Sequence, residues 1–162
     1  MDSDQNQIDF LDKHLSLFLS LLGLEGKIDI SFLDDSNTNS NSRILSVRLI
    51  GEQLGSLIGY HGRILESFSH WLKASFFKRF GPSDTRLFVD VNSYQSQRRD
   101  FLVMLAKKTA DRVRFLRTQI VLSPMSSSDR YIIHEALSSD PSIITESLGD
   151  GFERRVVVKP VP

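Results

Sequence analysis

Residues 57–65 read LIGYHGRIL and place Gly59 and Gly62 three positions apart, directly before a run with helical periodicity. Glycine at such a place lets the backbone approach a ligand without interference from a Cβ atom. The N–H groups that open a helix favour an anion, because they donate hydrogen bonds and lie at the positive end of the helix dipole. The segment therefore predicts a backbone clamp for phosphate, although a glycine pair also fits a tight turn between two helices.

The segments around the glycine pair show helical or strand periodicity in turn. The elements predicted in chain order are a helix at 8–22, strands at 27–32 and 43–50, a short helix at 52–58, a helix at 63–80 and a strand at 87–91. The polar stretch at 34–42 is expected to be an unstructured hairpin tip. Trp71 is expected to face inward from the longer helix. The order predicts one small α+β module that closes near Asn92.

A long basic helix is predicted after this module, at residues 93–117. Its apolar face is expected to bury Phe101, Leu102, Leu105, Val113 and Leu116. The helix also carries seven bases against two acids, and the bases are Arg98, Arg99, Lys107, Lys108, Arg112, Arg114 and Arg117. The later elements predicted are an extended stretch at 120–122, a helix at 130–138 behind a serine-rich cap, and strands at 143–147 and 154–159. We therefore expect two small α+β modules joined by the basic helix.

The net charge of the 162-residue chain is zero, but the charges are unevenly distributed. Residues 41–117 hold fourteen basic and six acidic residues, whereas residues 1–40 hold two basic and eight acidic ones. A phosphate partner responds to the potential within about a Debye length, roughly 8–10 Å. The basic middle of the chain therefore favours a polyanion as partner despite the neutral total.

The composition excludes several classes of protein. Because the chain has no cysteine, it has no disulfide framework, thiolate metal site or cysteine nucleophile. No apolar run approaches the ~18 residues of a spanning helix, and the N-terminus is acidic where a secretory signal is basic. No nucleophile-elbow, P-loop or dinucleotide motif is present, and the four histidines lack metal-ligand spacing. We expect a cytoplasmic protein that inserts into no membrane, is not an enzyme and needs no cofactor or metal.

The glycine segment resembles the Ile-Gly-x-x-Gly signature of KH domains, and the order of elements around it resembles the type II variant. The resemblance implies a KH domain at residues 8–92, with the order αββααβ and a three-stranded sheet covered by helices on one face. Such domains hold single-stranded nucleic acid, with the loop on the backbone and the bases in an adjacent apolar groove. The implied RNA-binding residues are Gly59, Tyr60, His61, Gly62 and Arg63. Related proteins often have Lys or Arg at the two middle positions, where this chain has Tyr60 and His61.

Arg130 and His134 are four residues apart and therefore share one face of the predicted helix. Alone, the pair also fits an ordinary surface hydrogen bond. Together with the stretches at 145–149 and 154–158, it resembles the R-three-H domain, which is named for its Arg-x-x-x-His pair and is associated with single-stranded nucleic acid. The resemblance implies an R-three-H domain at residues 93–162, which includes the basic helix. The implied nucleic-acid contacts are Arg130, His134, Arg154 and Arg155.

The tandem order of the two domains resembles the Jag family of bacterial RNA-binding proteins over residues 8–159. It implies a post-transcriptional regulator or RNA chaperone that binds single-stranded RNA, with single-stranded DNA as the alternative for the second module. Family members commonly carry a further N-terminal Jag domain, which we expect this chain to lack because it starts almost at once with the first helix. The alternative function is a scaffold that binds a second KH protein or itself, with weak or no RNA binding.

Overall fold

The computed structural model describes residues 2–34, 43–82 and 85–161. The expected hairpin tip at 34–42 therefore lies almost entirely outside the described residues. Contacts divide the chain into two compact units, Met1–Tyr94 and Gln95–Pro162. Each unit combines helices with one small sheet, which confirms the predicted α+β class.

The first unit consists of a three-stranded sheet and two long helices. Its elements are α1 (Asp2–Leu21), β1 (Lys27–Asp34), β2 (Arg43–Ile50), the 3₁₀ helices Glu52–Leu57 and Tyr60–Gly62, α2 (Arg63–Phe80) and β3 (Arg86–Val91). Strand β2 is central, antiparallel to β1 and parallel to β3. A parallel pair needs a crossover connection, and here the 3₁₀ helices and α2 supply it. The two glycines of residues 57–65 thus lie inside this crossover.

The core of the first unit lies between one face of the sheet and the two helices. Leu45, Val47 and Leu49 alternate along β2, and all three are fully buried. Leu15 of α1 and Phe76 of α2 are equally buried and belong to the same cluster. The period of two on the strand and the amphipathic spacing on the helices therefore place one continuous apolar layer behind the crossover.

Trp71 does not face inward as the periodicity suggested, since its side chain is exposed. It lies one residue before the buried Leu72, which rotates it by about 100° around the helix axis. At this margin of the core its ring stacks on those of Phe18 and Phe68. The prediction was wrong because an aromatic ring at the edge of an apolar stripe can pack sideways and stay accessible.

The second unit is a three-stranded antiparallel sheet covered by two helices. Its elements are α3 (Tyr94–Leu116), which starts at the boundary, β4 (Ile120–Val121), α4 (Ser127–Leu137), β5 (Ile143–Leu148), the 3₁₀ turn Gly151–Glu153 and β6 (Arg155–Pro160). Strand β6 lies between β4 and β5. Helix α4 begins three residues earlier than predicted, because Ser126 Oγ accepts the N–H of Asp129 and caps the first turn there.

The packing face of α3 differs from the predicted one. Its buried residues in the described structure are Leu102, Ala106, Thr109, Ala110 and Val113. Phe101 and Leu116 were expected in the core, but both are exposed. Phe101 lies about 100° away from Leu102, and Leu116 is the last residue of the helix. The face that packs is thus built largely from small residues rather than from the largest ones.

Arg98 of α3 and Asp129 of α4 form a buried ion pair in the second unit. The distance between Arg98 Nη2 and Asp129 Oδ2 is 2.7 Å, and the two side chains are only 13% and 9% exposed. The same carboxylate oxygen accepts a hydrogen bond from Arg98 Nε at 3.2 Å. Arg98 was expected in a cationic track on the surface of the basic helix. The structure instead directs it inward, because it neutralises a buried carboxylate.

We predict that Asp129→Ala lowers the free energy of unfolding by about 3–5 kcal/mol, because it leaves the buried Arg98 guanidinium without its counter-charge. Urea unfolding followed by circular dichroism measures the change. As a control, Asp111→Ala removes an exposed partner of Arg114 and should cost less than ~1 kcal/mol. If the free energy of unfolding falls by less than ~1 kcal/mol in both variants, the ion pair does not hold α3 against α4.

Candidate nucleic-acid interface

The glycine loop has a left-handed backbone at three positions. The φ angles are +68° at Gly59, +52° at His61 and +80° at Gly62. A Cβ atom added at Gly59 would collide with the side chain of Ile64, and one added at Gly62 would lie 2.7 Å from the Tyr94 ring. Both glycines are therefore required by the fold itself, whatever ligand the loop holds.

The amides that open α2 are not the free donors that the sequence suggested. The N–H groups of Ile64 and Leu65 donate to the carbonyl oxygen of Ile58, at 3.1 and 3.2 Å, and the N–H of Gly62 donates to Gly59 O at 3.3 Å. The Arg63 N–H donates to the Tyr60 carbonyl. The prediction of a backbone clamp is wrong at these four amides, because the chain folds back and satisfies them internally.

The side chains of the loop, in contrast, are accessible. Tyr60 is 68% exposed, and Arg63 and Ile64 are exposed beside it. The Arg63 guanidinium carbon lies 5.9 Å from the centre of the Tyr60 ring, and the His61 ring meets the same ring edge-on at 4.0 Å. The predicted residues are thus brought together as an aromatic surface with a fixed positive charge at its edge. Such a surface can stack a base and pair a phosphate.

The seven bases predicted for the helix at 93–117 fall into two groups; six lie in α3, and Arg117 follows its last residue. Beside Arg98, Arg99 pairs with Glu135 at 2.9 Å, and Arg114 pairs with Asp140 at 2.7 Å. The bases that are exposed and make no ion pair with any other described residue are Lys107, Lys108, Arg112 and Arg117. Three of the predicted contacts are therefore held within the second unit, and four project into solvent.

Asp140 is the carboxylate that pairs with Arg114, and its pKa is lowered. The hydroxyl of Ser142 and the guanidinium of Arg114 hydrogen-bond the Asp140 carboxylate and hold its pKa at about 2. The carboxylate therefore stays charged at any physiological pH. Arg114 therefore keeps a charged partner at neutral pH, and its side chain is 46% exposed.

Arg130 and His134 project from α4 toward the sheet, as their spacing predicts, but both are engaged in internal hydrogen bonds. Arg130 Nη1 donates to the carbonyl of Met125 at 2.9 Å. The two ring nitrogens of His134 contact the hydroxyls of Thr145 and Ser147 on β5, at 2.7 and 2.9 Å. His134 was expected to contact nucleic acid directly. Both nitrogens contact these hydroxyls, so the His134 ring joins α4 to β5, and its contact with nucleic acid stays a prediction.

Burial lowers the pKa of His134 below its ordinary value of 6.5, and the nearby Arg130 charge lowers it further. The imidazole is therefore neutral near pH 7, with one nitrogen donating and the other accepting. This state suits the two hydroxyl partners, since a hydroxyl can donate or accept. Thr145 and Ser147 were not assigned a role from the sequence, although their alternation on β5 places both on the face toward α4.

The two remaining predicted contacts lie at the start of β6. Arg154 is exposed, and its carbonyl oxygen accepts the N–H of Met125 at 3.1 Å. Since Met125 also accepts from Arg130, one residue connects the two arginines. Arg155 is half-buried and pairs with Glu153 at 2.7 Å. The structure thus brings Arg130 and Arg154 to one end of the second unit and holds Arg155 in an internal pair.

The described part of the chain has neither a membrane-spanning helix nor a cluster of metal ligands. None of its helices combines the length and the hydrophobicity needed to cross a bilayer. Across residues 2–34, 43–82 and 85–161, no three His, Cys, Asp or Glu side chains converge as metal ligands would.

We predict that the wild type has a higher free energy of unfolding than His134→Gln, and that this gap between the two proteins becomes smaller at acidic pH. A lowered pKa means that the unfolded chain binds the proton more readily, so the contribution of His134 is complete above pH 6.5 and is lost as the pH falls below it. Urea unfolding of both proteins at pH 7.5 and pH 5 checks this. A gap that is constant, or wider at pH 5, would show that the imidazole is not held in its neutral form.

Comparison with known proteins supports a relationship at the level of sequence. Residues 100–160 match the model of the R-three-H domain. The chain is 31% identical over 120 residues to the RNA-binding protein KhpB of Clostridium symbiosum, covering 74% of this chain and 54% of that protein. It is 31% identical over 137 residues to the RNA-binding protein KhpB of Bacillus subtilis, covering 83% of this chain and 62% of that protein.

A third relative, the RNA-binding protein KhpB of Lactiplantibacillus plantarum, is 28% identical over 156 residues, which are 96% of this chain and 46% of that protein. The chain thus spans roughly half the length of these relatives. The relatives are named as binding proteins and not as enzymes. The chain therefore contains an R-three-H domain at residues 100–160 and is similar over most of its length to proteins named KhpB.

Proposed function

We propose that this chain is a bacterial RNA-binding regulator that holds single-stranded RNA on two surfaces, one in each unit. In this proposal residues 8–92 act as a type II KH domain and residues 93–162 as the R-three-H domain, joined by the basic helix 93–117. The order of helices and strands in the first unit and the parallel pairing of β2 with β3 support the KH assignment. The names of the homologues support RNA as the ligand.

The observation that carries the proposal is the hydrogen-bonded connection from Arg130 through Met125 to Arg154. It places the Arg130 guanidinium and the backbone of Arg154 at one end of the second unit, behind which His134 ties α4 to β5. Arg130 donates one N–H to the carbonyl oxygen of Met125, and a guanidinium has five N–H donors in all. The remaining donors of Arg130 are held in position for a phosphate, which lowers the entropy cost of binding there, and the exposed Arg154 adds a second cation.

In the first unit, the side chains rather than the amides carry the contact. Tyr60 offers an exposed ring to a base, and Arg63 places a charge next to the phosphate of the same nucleotide. The exposed apolar side chain of Ile64 adjoins them. Stacking of a base on an aromatic ring tolerates any sequence, because every base has a π-face. We therefore propose weak base preference at this surface.

The exposed bases Lys107, Lys108 and Arg112 of α3, and Arg117 directly after it, supply a diffuse positive potential in this proposal. Only one side of a helix can follow one strand, so about half of them contribute contacts. Together with Arg63, Arg130 and Arg154, these give roughly five or six phosphate contacts, which correspond to a salt slope of about −4 for a single strand.

We predict that Tyr60→Asp combined with His61→Asp weakens binding of a fluorescently labelled single-stranded RNA at least ~10-fold at low salt. The change removes the stacking ring and adds two negative charges, while Asp tolerates the left-handed backbone at position 61. Substituting Gly59 or Gly62 is less informative, because any side chain there is strained. Fluorescence anisotropy measures the affinity.

Ser16→Asp combined with Ser20→Asp is the matched control, since it adds the same charge to two exposed positions of α1 in the same unit. This control should retain affinity within about 2-fold. The proposal for the first unit fails if the loop variant binds as tightly as the control. A wild type that binds no single-stranded RNA at low salt would instead favour the scaffold function.

A further inference from the structure

We infer that the outer face of α3 binds the same face of a second copy of this chain, with the two helices antiparallel. The residues of this outer stripe recur every three or four positions along the helix, and they are Phe101, Met104, Lys108, Asp111 and Phe115. The inference concerns a contact between protein chains, so it goes beyond the proposed RNA binding and does not depend on it.

Three of the five residues of the outer stripe are large and apolar, yet all three are exposed. Phe115 is 86% exposed, and Phe101 and Met104 are each 47% exposed. Among the described residues, none of the three belongs to the apolar core of the second unit. Exposed apolar side chains scattered singly are ordinary, but a row of them along one helix is typical of a surface that another protein covers.

The spacing of the outer stripe is that of a helix-pairing surface. Its steps of three, four, three and four positions keep the five residues within about 80° of one another around the helix axis. This alternation is the pattern of the a and d positions of a coiled coil, where each side chain packs between side chains of the facing helix. The residues that α3 buries in its own unit, among them Ala106 and Val113, lie on the other side of the helix. The helix therefore has a second face that suits another helix.

The two charges of the outer stripe favour a second copy as the partner. A two-fold axis midway between Lys108 and Asp111 places Lys108 of each copy opposite Asp111 of the other, so the ion pair forms twice. Met104 and Phe115 are equally far from this axis and also meet twice, and a Met sulfur packs favourably against an aromatic ring. A parallel pair would instead place like charges opposite each other at both positions. The outer stripe is thus complementary to itself in the antiparallel arrangement.

Both charged side chains are accessible for this contact. Lys108 is exposed and makes no ion pair with any other described residue. The Asp111 side chain is 71% exposed, and its Oδ1 accepts a hydrogen bond from Arg114 Nη1 at 2.5 Å. Because a carboxylate has two oxygens, Asp111 can keep Arg114 and accept Lys108 of the second copy through Oδ2.

The overlap between the two helices is short, so we expect a weak dimer. Residues 104–115 span about 17 Å of each helix at 1.5 Å per residue. Stable interfaces bury about 1,200–2,000 Å² in total, whereas smaller contacts such as this one are typical of transient complexes. Monomer and dimer should therefore exchange, and the dimer should become more populated as the protein concentration rises.

The dimer is compatible with the RNA contacts proposed for the basic helix. Lys107 and Arg112 are exposed and lie on the two flanks of the outer stripe, on opposite sides of it. The antiparallel pair engages Lys108 and leaves these two bases accessible.

Charge reversal tests the arrangement. Lys108→Glu or Asp111→Lys alone creates two like-charge contacts in each dimer and should weaken self-association at least ~10-fold. An equimolar mixture of the two variants restores two opposite-charge contacts and should associate within about 3-fold of the wild type. Lys13→Glu is the matched control, because it makes the same charge change at an exposed position of α1, and it should stay within about 2-fold of the wild type.

The apolar contact is tested in the same way. Phe115→Ala should weaken self-association at least ~10-fold, because each dimer loses two buried rings. Tyr131→Ala, which removes an exposed ring from α4, should have no effect. Sedimentation velocity of the nuclease-treated whole chain from about 1 μM to 1 mM measures association over the range of weak complexes. Circular dichroism confirms that each variant is folded.

Several outcomes overturn the inference. A wild type that stays monomeric over this range would do so, and so would association that nuclease treatment abolishes, because RNA would then bridge the copies. Single charge variants that associate like the wild type, with a mixture that associates more tightly, would indicate a parallel pair. A mixture as weak as its components would show that Lys108 and Asp111 do not meet. Undiminished association of Phe115→Ala would place the contact on another face.

Discussion

The ion pairs between α3 and the α4 segment determine what the second unit presents to a partner. Arg98 reaches the buried Asp129, Arg99 reaches Glu135, and Arg114 reaches Asp140 just beyond α4. Small residues make up much of the packing face of α3. The buried pair between Arg98 and Asp129 ties α3 to the first turn of α4, since breaking it would leave an uncompensated charge in the core. Arg130 and His134 lie on the same helix, one and five residues after Asp129.

The same ion pairs divide the basic residues into those that pair within the protein and those that remain for a partner. A chain with equal numbers of acids and bases can bind a polyanion only where its cations are not already neutralised. In the second unit the pairs consume three bases of α3 and also Arg155, and they leave Arg154 and Arg130 at the end of the sheet. In the first unit, Arg63 is placed beside the exposed Tyr60 ring. The proposed surface of the first unit therefore combines an arginine with an aromatic ring, and that of the second unit rests on two arginines.

Periodicity in the sequence predicted most of the fold, and local residue types predicted where the candidate surfaces lie. Strand β2 was predicted with its observed bounds, because a strand buried on one face shows a strict period of two. The exposure of Trp71 and Phe101 could not be predicted, since it depends on how far an apolar face extends in three dimensions. The pairing of Arg98 joins residues 31 positions apart in the chain, and no local pattern reports such a contact. The internal bonds of the glycine-loop amides join residues only three to seven positions apart, and they were missed because they depend on the left-handed backbone at Gly59, His61 and Gly62.

The salt dependence of RNA binding tests most directly whether internal pairing decides which bases contribute. The wild type should show a slope of log Kobs against log [salt] of about −4, and Arg154→Gln should reduce its magnitude by about 0.7, the contribution of one phosphate contact on a single strand. Arg114→Gln removes the same charge from the same unit but should leave the slope unchanged, because Arg114 is held by Asp140. A slope near zero, or an equal reduction in both variants, would contradict the account.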